Sequence, residues 1–496
     1  MTPGATLCLD SGTTLVKAVV FDSEGLELVS ASRPARVDSP QRGYAEQDMD
    51  LLWDVAAEVI AEASAKSPIP VDRLAITAQG DGAWLIGHEG EAVRPAILWN
   101  DARSRTIVDS WQADGVLDAA FTINGSHSNL GVPNSIVRHL LAGNLQSLDA
   151  VHAVVTCGSW LFSRLTGVIG LHVSDASAPW LDIAEVEYSQ ALLQLYGLAD
   201  QARLLPPLLD AKSSVQPLIP SVAERVGLPV GIPVVLAPYD VVTAAAGSGA
   251  VANGDGFCIL GTTLCTGLVI PLPDTSSTPA GLTLAVAPGA GWIRAFPTLA
   301  GTGVVDWMTR LFGLPGAADF SAIAAESAAG AHGVSVWPYL STAGERAPFL
   351  DPDASGVVTG LTLANDRGDL ARATVEGLAH VIRDCLEAMP VPPVSLALAG
   401  GGAASDLWCS VIADVTGTPT VRLADSQIGA KGALVHALVA TGHYPSLSDA
   451  VADLVRVARR FEPDDTVRGL HDDRHDDFLE SRALFATRWH RNRGRK

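Results

Sequence analysis

One stretch of this chain occurs twice, and that repetition limits the fold more than any other feature. The first copy is Leu7-Cys8-Leu9-Asp10-Ser11-Gly12-Thr13-Thr14-Leu15-Val16-Lys17-Ala18-Val19-Val20-Phe21-Asp22. Two β-rich runs flank a Gly-Thr-Thr turn, which predicts a β-hairpin. The second copy is Phe257-Cys258-Ile259-Leu260-Gly261-Thr262-Thr263-Leu264-Cys265-Thr266-Gly267-Leu268-Val269-Ile270, roughly half a chain later. Repetition on this scale predicts two similar domains, each presenting a hairpin to a shared cleft. Glycine lets the turn backbone approach a ligand, and the turn N–H groups with two hydroxyls can face an anion. Single hairpin turns also carry Gly and Thr without any ligand. Two of them suit a polyphosphate held from both sides.

Asp10 leaves the first strand where it can hold Mg²⁺, through water, because this ion takes oxygen ligands and keeps much of its hydration. A chain of 496 residues exceeds one ordinary core and predicts two or more domains. A formal net charge of -21 disfavours nucleic acid and anionic membranes as partners. It leaves room for a nucleotide, which needs only a local anion site. The cysteines Cys8, Cys157, Cys258, Cys265, Cys385 and Cys409 form no CxxC pair and lie mostly in apolar runs. They read as buried thiols in a reducing compartment. Met1-Thr2-Pro3-Gly4 lacks a signal-peptide pattern, and the apolar stretch from Gly231 to Val251 is interrupted by Pro233, Pro238 and Asp240. A cytoplasmic location follows as the expectation.

Taken in order, Leu51, Leu52, Val55, Val59 and Ile60 mark one face of a helix. Val71–Thr77 reads as a buried strand ending at Gln79-Gly80-Asp81-Gly82, and Ala96–Trp99 as a strand ending at Asn100-Asp101-Ala102-Arg103. Ligands of open α/β sheets gather at the carboxyl ends of strands, so both ends are site candidates. Asp81 reads equally as a turn aspartate, and Trp99 as a core aromatic. Ile232–Asp240 is a strand delivering a carboxylate, with helix N-capping the alternative role for Asp240. Small residues from Val241 to Ala250 connect to the second domain, with the boundary near 245–252. Val394–Ala399 is a buried strand running into Gly400-Gly401-Gly402 and a helix from about Ser405, an arrangement suited to an anion or nucleotide. The run His471–Asp477 reads as a charged helix start rather than a metal cluster, and the basic segment from Arg488 to Lys496 as a solvated terminus.

The motifs together resemble the FGGY family of carbohydrate kinases. The most specific match is Gly356-Val357-Val358-Thr359-Gly360-Leu361, a spacer, then Asp369-Leu370 and Ala373-Thr374-Val375-Glu376. Gly400-Gly401-Gly402 with Leu407-Trp408 and Ala413–Gly417 matches the nucleotide loop. The resemblance implies an α/β fold with two domains of the actin/hexokinase/Hsp70 ATPase (ribonuclease H-like) type and a cleft between them. The N-terminal domain would span 1–248, with acceptor site, first phosphate hairpin and base, and the C-terminal domain 249–496, with the ATP site.

Carried over residue by residue, Asp10 positions Mg²⁺, with Asp240 beside it as general base and second metal neighbour. Gly12, Thr13, Thr14 and Lys17 would meet phosphate; Gly261, Thr262, Thr263 and Gly303 would hold ATP; Gly401, Gly402 and Ser405 would border the adenosine. Gln79, Asp81, Trp99, Asp101, Arg103 and Asp240 would bind the acceptor. Xylulokinase-like members have Met-His where this chain has Gly80-Asp81, and glycerol-kinase-like members Arg-Glu. Gln79–Ile86 with Leu98-Trp99 is most similar to erythritol-kinase-like sequences. The expected activity is ATP- and Mg²⁺-dependent phosphorylation of a primary hydroxyl, with erythritol the expected acceptor. Xylulose, ribulose, xylitol and glycerol are the alternatives. A non-catalytic actin- or Hsp70-like ATPase or regulator is the rival of another class. The resemblance also implies a homo-oligomer, a dimer, with no nucleic-acid or membrane partner.

Overall fold

The structure is a computed structural model that describes residues 4–142, 148–287 and 290–492. Of the basic terminal segment, residues 493–496 lie outside the described residues. Contacts divide the chain into two compact units that do not follow a single cut. The first runs up to Val251 and adds Pro271–Ile293 and Gln427–Val455; the second holds Ala252–Ile270, Arg294–Ser426 and the chain from Arg456 on.

In the first unit, strand β1 (Ala5–Ser11) is buried on both faces, as an interior strand of a covered sheet must be. It pairs antiparallel with β2 (Leu15–Phe21), which pairs antiparallel with β3 (Glu27–Pro34). On its other side β1 runs parallel to β4 (Val71–Ala78). Beyond them come β5 (Val215–Pro217) and β6 (Pro233–Leu236), and the six-stranded order is β5-β6-β4-β1-β2-β3. The Met49–Lys66 helix, capped by Asp48, buries Leu52, Trp53, Ala56, Val59 and Ile60 against one face. The other face packs Cys8, Val19 and Val235 against Ala430, Ala433, Leu434 and Ala437. Those four belong to the Ile428–Ala440 helix, which therefore completes the first unit although it lies far along the chain.

In the second unit the pattern returns. Strand β7 (Asp255–Leu260) pairs antiparallel with β8 (Leu264–Ile270), followed outward by β9 (Trp292–Pro297). On the other side β7 runs parallel to β10 (Ser395–Ala399), β10 parallel to β11 (Thr420–Leu423), and β11 antiparallel to β12 (Val457–Phe461). Three central parallel strands, a hairpin on one flank and an antiparallel edge on the other occur in both units. The repeated motif thus marks a repeated sheet.

The strand expected over Ala96–Trp99 is shorter, Ala96–Ile97. Asp240 lies past the end of its strand and opens the Asp240–Gly247 helix, with Tyr239 in the N-cap position. The run His471–Asp477 sits inside the Arg468–Asn492 helix, and both of its histidines are buried rather than solvated. His475 stacks with His380 and Phe478, with His380 and His475 5.4 Å apart between centroids, and His471 meets the His380 ring edge-on.

Candidate active site

Strands β1, β4 and β6 are parallel neighbours, so their carboxyl ends lie along one edge of the first sheet. That edge collects Asp10 at the end of β1, Gln79 and Asp81 just past β4, and Asp240 four residues past β6. Local sequence dictates each position: a buried apolar strand runs out, and the first polar residues beyond it stand at the sheet edge. Hydrogen bonds then fix the group. Gln79 is buried; its backbone N–H donates to Ser11 O at 2.9 Å, and its side-chain NH₂ to Gln47 Oε1 at 3.0 Å. Gln79 Oε1 accepts from the Thr13 hydroxyl at 2.8 Å, and Thr13 Oγ1 accepts from Trp99 Nε1 at 2.8 Å. Thr13, on the phosphate-type turn, is therefore tied directly to two acceptor candidates.

Gly80 makes room for a neighbouring ring. A Cβ there would stand 2.2 Å from Cδ2 of Tyr239, so the Tyr239 ring occupies the space that a side chain at this position would need. Asp81 adopts a left-handed backbone with φ of 54°, a conformation aspartate tolerates in tight turns. Sequence reasoning missed Tyr239. The adjacent glycine was the available signal, but it does not say which ring fills the gap.

Asp101 and Arg103 are engaged with one another. Asp101 is fully buried and accepts from the Ala45 and Arg103 backbone N–H groups and from the Arg103 guanidinium, at 2.7–2.8 Å. Arg103 also donates to Glu46 Oε1 at 2.7 Å and lies 4.3 Å from the Tyr44 ring centre. Their polar atoms brace the loop after Trp99.

The electrostatics are those of crowded carboxylates. Burial, the Asp10 charge and the charges of Asp81 and Asp175 push Asp240 up to about 8, against hydrogen bonding at Val241. Burial raises Asp10 while Lys17, its cross-strand partner, lowers it. Lys17 Nζ donates to Gln427 Oε1 at 3.1 Å, at the foot of the Ile428–Ala440 helix. Gly429 in the first turn of that helix has no room for a side chain, since a Cβ would lie 2.7 Å from Asp10 Oδ2. The helix can come this close because it crosses the Asp240–Gly247 helix at two glycines. A Cβ on Gly432 would stand 1.7 Å from Thr243 O, and one on Gly247 2.0 Å from Ile428 O. Two partly buried carboxylates, both with raised affinities for protons, beside a helix N-terminus, are hard oxygen donors suited to Mg²⁺.

In the second unit the turn Gly261-Thr262-Thr263 meets the start of the Thr302–Leu311 helix. Thr302 N–H donates to Gly261 O at 2.8 Å and Gly303 N–H to Thr262 O at 3.1 Å. Gly400, with φ of 85°, turns the chain out of β10 beside Leu260. Gly401 is open, with nothing within 4 Å of a Cβ position, whereas a Cβ on Gly402 would strike the Trp408 ring at 2.4 Å. Ser405 caps the Asp406–Thr416 helix by accepting from Trp408 N–H at 3.2 Å and lies 2.6 Å from the Ser321 hydroxyl. The second unit thus gathers Gly261, Thr262, Thr263, Gly303, Gly401, Gly402 and Ser405 at the carboxyl ends of β7 and β10.

The signature that carried the sequence resemblance forms joints. Asp366 and Asp369 make a reciprocal capping box at the start of the Arg367–Glu387 helix. Asp369 also takes bonds from Ser327 and pairs with His332, while Glu376 accepts from Gly330 N–H at 2.9 Å and Arg372 at 2.7 Å.

Comparison with known proteins agrees with this geometry. Residues 5–247 match the N-terminal domain and residues 256–441 the C-terminal domain of the FGGY family of carbohydrate kinases. An erythritol kinase of Brucella abortus is 29% identical, with 90% of this chain and 89% of the relative covered. A probable L-xylulose kinase of Pasteurella multocida is 30% identical, with 88% and 89% covered. The crystal structure of a xylulose kinase from Rhodospirillum rubrum superposes with a TM-score of 0.88 at 26% identity, covering 98% of this chain and 100% of that one.

Proposed function

We propose that this chain, which belongs to the FGGY family of carbohydrate kinases, phosphorylates a primary hydroxyl of a four-carbon polyol such as erythritol. Membership makes it an ATP-dependent phosphotransferase with an alcohol acceptor, which sets aside the non-catalytic ATPase. The observation that carries the site assignment is the convergence of Asp10, Gln79, Asp81 and Asp240 at adjacent parallel strand ends. Asp240 takes the proton of the attacking hydroxyl. Its raised proton affinity suits that task, since a base works best with a pKa near the operating pH. Asp10 and Asp240 are the residues that would hold Mg²⁺, which when bound neutralises charge on the transferring phosphoryl group. Gly12, Thr13, Thr14 and Lys17 meet phosphate from the first unit; Gly261, Thr262, Thr263 and Gly303 hold the ATP phosphates. Gly401, Gly402 and Ser405 border the adenosine.

For the acceptor, Asp81 takes hydroxyl protons and Trp99 supplies an apolar wall, while Asp101 and Arg103 hold the loop that carries Trp99. Carboxylate-to-hydroxyl bonds contribute roughly 1.5–3 kcal/mol each, enough to orient a small flexible polyol. Resemblance in the Gln79–Ile86 stretch and to the Brucella erythritol kinase supports four carbons. A ketopentose is the second reading, favoured by the xylulose kinases at similar identity. Acceptor-dependent ADP release, measured as kcat/KM for erythritol, xylulose, ribulose, xylitol and glycerol, tests the choice. Erythritol should lead; a large preference for any of the others would end the tetritol assignment and leave the kinase standing. A working location in the cytoplasm, and assembly as a dimer, fit this reading.

A further inference from the structure

The roles above leave unused the loop Gly344-Glu345-Arg346-Ala347-Pro348-Phe349 of the second unit. Glu345 is 1% exposed. Its Oε1 accepts from Leu299 N–H at 2.7 Å and from Arg346 N–H at 2.9 Å, and Ala347 N–H also acts on the carboxylate. Arg346 Nε donates to Pro297 O at 2.8 Å. The two neighbours thus grip the chain on either side of Thr298, just past the end of β9. The grip has its own footing, because Glu345 and Asp351 exchange backbone N–H bonds, each at 2.9 Å.

The gripped segment is the one that holds the second Gly-Thr-Thr turn. Thr298 N–H donates to Leu264 O and Leu264 N–H to Ala300 O, both at 2.9 Å. Next along, Thr302 and Gly303 N–H take Gly261 O and Thr262 O. Gly301 packs so closely that a Cβ would stand 2.6 Å from Thr262 O. The backbone oxygens of Gly261, Thr262 and Leu264 are therefore all taken by residues 298–303, and the turn lies where that segment lies.

A carboxylate that takes N–H bonds from two separate stretches of backbone fixes one against the other, since a buried N–H left without an acceptor is costly. We infer that Glu345 and Arg346 are positioning residues for ATP: through Leu299 and Pro297 they set the 298–303 segment, and through it the turn Gly261–Thr263. The inference rests on the reading of that turn and Gly303 as the side that holds the ATP phosphates.

The test is Glu345→Ala, which removes the shared acceptor. KM for ATP should rise about ten-fold or more while KM for the alcohol acceptor stays within about two-fold. Glu345→Gln keeps a carbonyl oxygen for Leu299 N–H and should bring KM for ATP back to within about three-fold of the wild type. A merely structural role would lower the folded fraction, which depresses the apparent kcat and leaves KM where it was. An unmoved KM for ATP, an equal rise for both substrates, or a Gln variant no better than Ala overturns the inference. Should the Ala variant fail to fold by circular dichroism, Arg346→Met decides by the same split. A rise of about three-fold or more in KM for ATP alone supports the inference, and an unmoved value overturns it. Gly303→Val separates the inference from its premise, because it crowds the turn directly, with a Cβ 3.3 Å from Thr262 O. A raised KM for ATP there with an unmoved one in Glu345→Ala overturns the inference alone. An unmoved KM in Gly303→Val ends the reading of the turn, and the inference with it. The wild type's best acceptor is used throughout, so an error in the choice of erythritol leaves this test intact.

Discussion

The two Gly-Thr-Thr hairpins occupy equivalent places in equivalent sheets, yet they are built for different work. In the first, Ser11 pairs with Val16, leaving four residues in the loop; in the second, Leu260 pairs with Leu264, leaving three. Before the first turn stands Asp10, opposite Lys17; the same place before the second turn holds Ile259, opposite Cys265. The first hairpin faces a helix start stripped of side chains at Gly429, and its Thr13 hydroxyl is bound to Gln79 and Trp99. The second has a helix start bonded to its own backbone through Thr302 and Gly303. One scaffold thus carries charged groups beside the turn in the first unit and uncharged ones in the second, the division on which the proposed roles rest.

The strongest way to break this division is Asp240→Asn. Loss of a general base should lower kcat by about 10²–10⁴-fold. ATP affinity, measured by equilibrium binding, should hardly change, because the residues proposed to border the adenosine, Gly401, Gly402 and Ser405, belong to the second unit. A variant with near-normal turnover would remove the acid chemistry from the first unit.

A paired glycine experiment sharpens the comparison. Gly429→Ala drives a methyl toward Asp10 Oδ2 and should cost about ten-fold or more in kcat, since small displacements of catalytic groups are expensive. It should also raise the Mg²⁺ concentration needed for half-maximal rate. Gly401→Ala meets open space and should leave the Mg²⁺ dependence alone, with any change confined to KM for ATP. Equal Mg²⁺ responses in the two variants would contradict the assignment of Asp10.

The smallest effects are in pH. Because Asp240 is held up to about 8 in the free protein, kcat/KM for the acceptor should rise with pH and level off above that value. Added Mg²⁺ should move the rise to lower pH, since a cation stabilises the ionised form. In the second unit the sign is opposite and the readout is stability. Burial holds His380, His471 and His475 below the ordinary histidine range. The unfolded chain therefore takes up more protons as pH falls below about 6.5, and stability is lost on that side. Thermal unfolding at pH 7.5 and 5.5 should show this. His471→Leu should soften the loss, because both ring nitrogens of His471 are buried without a hydrogen-bond partner. A melting temperature as sensitive to acid in that variant as in the wild type would remove His471 from the account.

The sequence by itself determined what depends on local pattern. Strand periodicity and turn chemistry placed Asp10, Gln79, Asp81 and Gly400–Gly402 at strand ends, and the repeated hairpin announced two matching sheets. The run of apolar residues before Asp240 pointed to a strand end as well, although the carboxylate opens a helix instead. Tertiary structure alone decided which distant segments close on those ends. Tyr239 filling the space beside Gly80, Gly429 against Asp10, and the Ser174 hydroxyl accepting from Tyr239 N–H are contacts across long stretches of chain. No periodicity records them, because a glycine gap or a buried hydroxyl looks the same in sequence whatever it meets. The same holds for Asp101 and Arg103, whose spacing suggested a ligand site and whose partners, Ala45 and Glu46, appear only once the sheet brings them together. The histidines of the last helix followed that rule too. Their charged neighbours marked a charged helix start, but packing against His380 and Phe478 buried both rings, since side-chain burial is set by the surface that a helix meets rather than by its own composition.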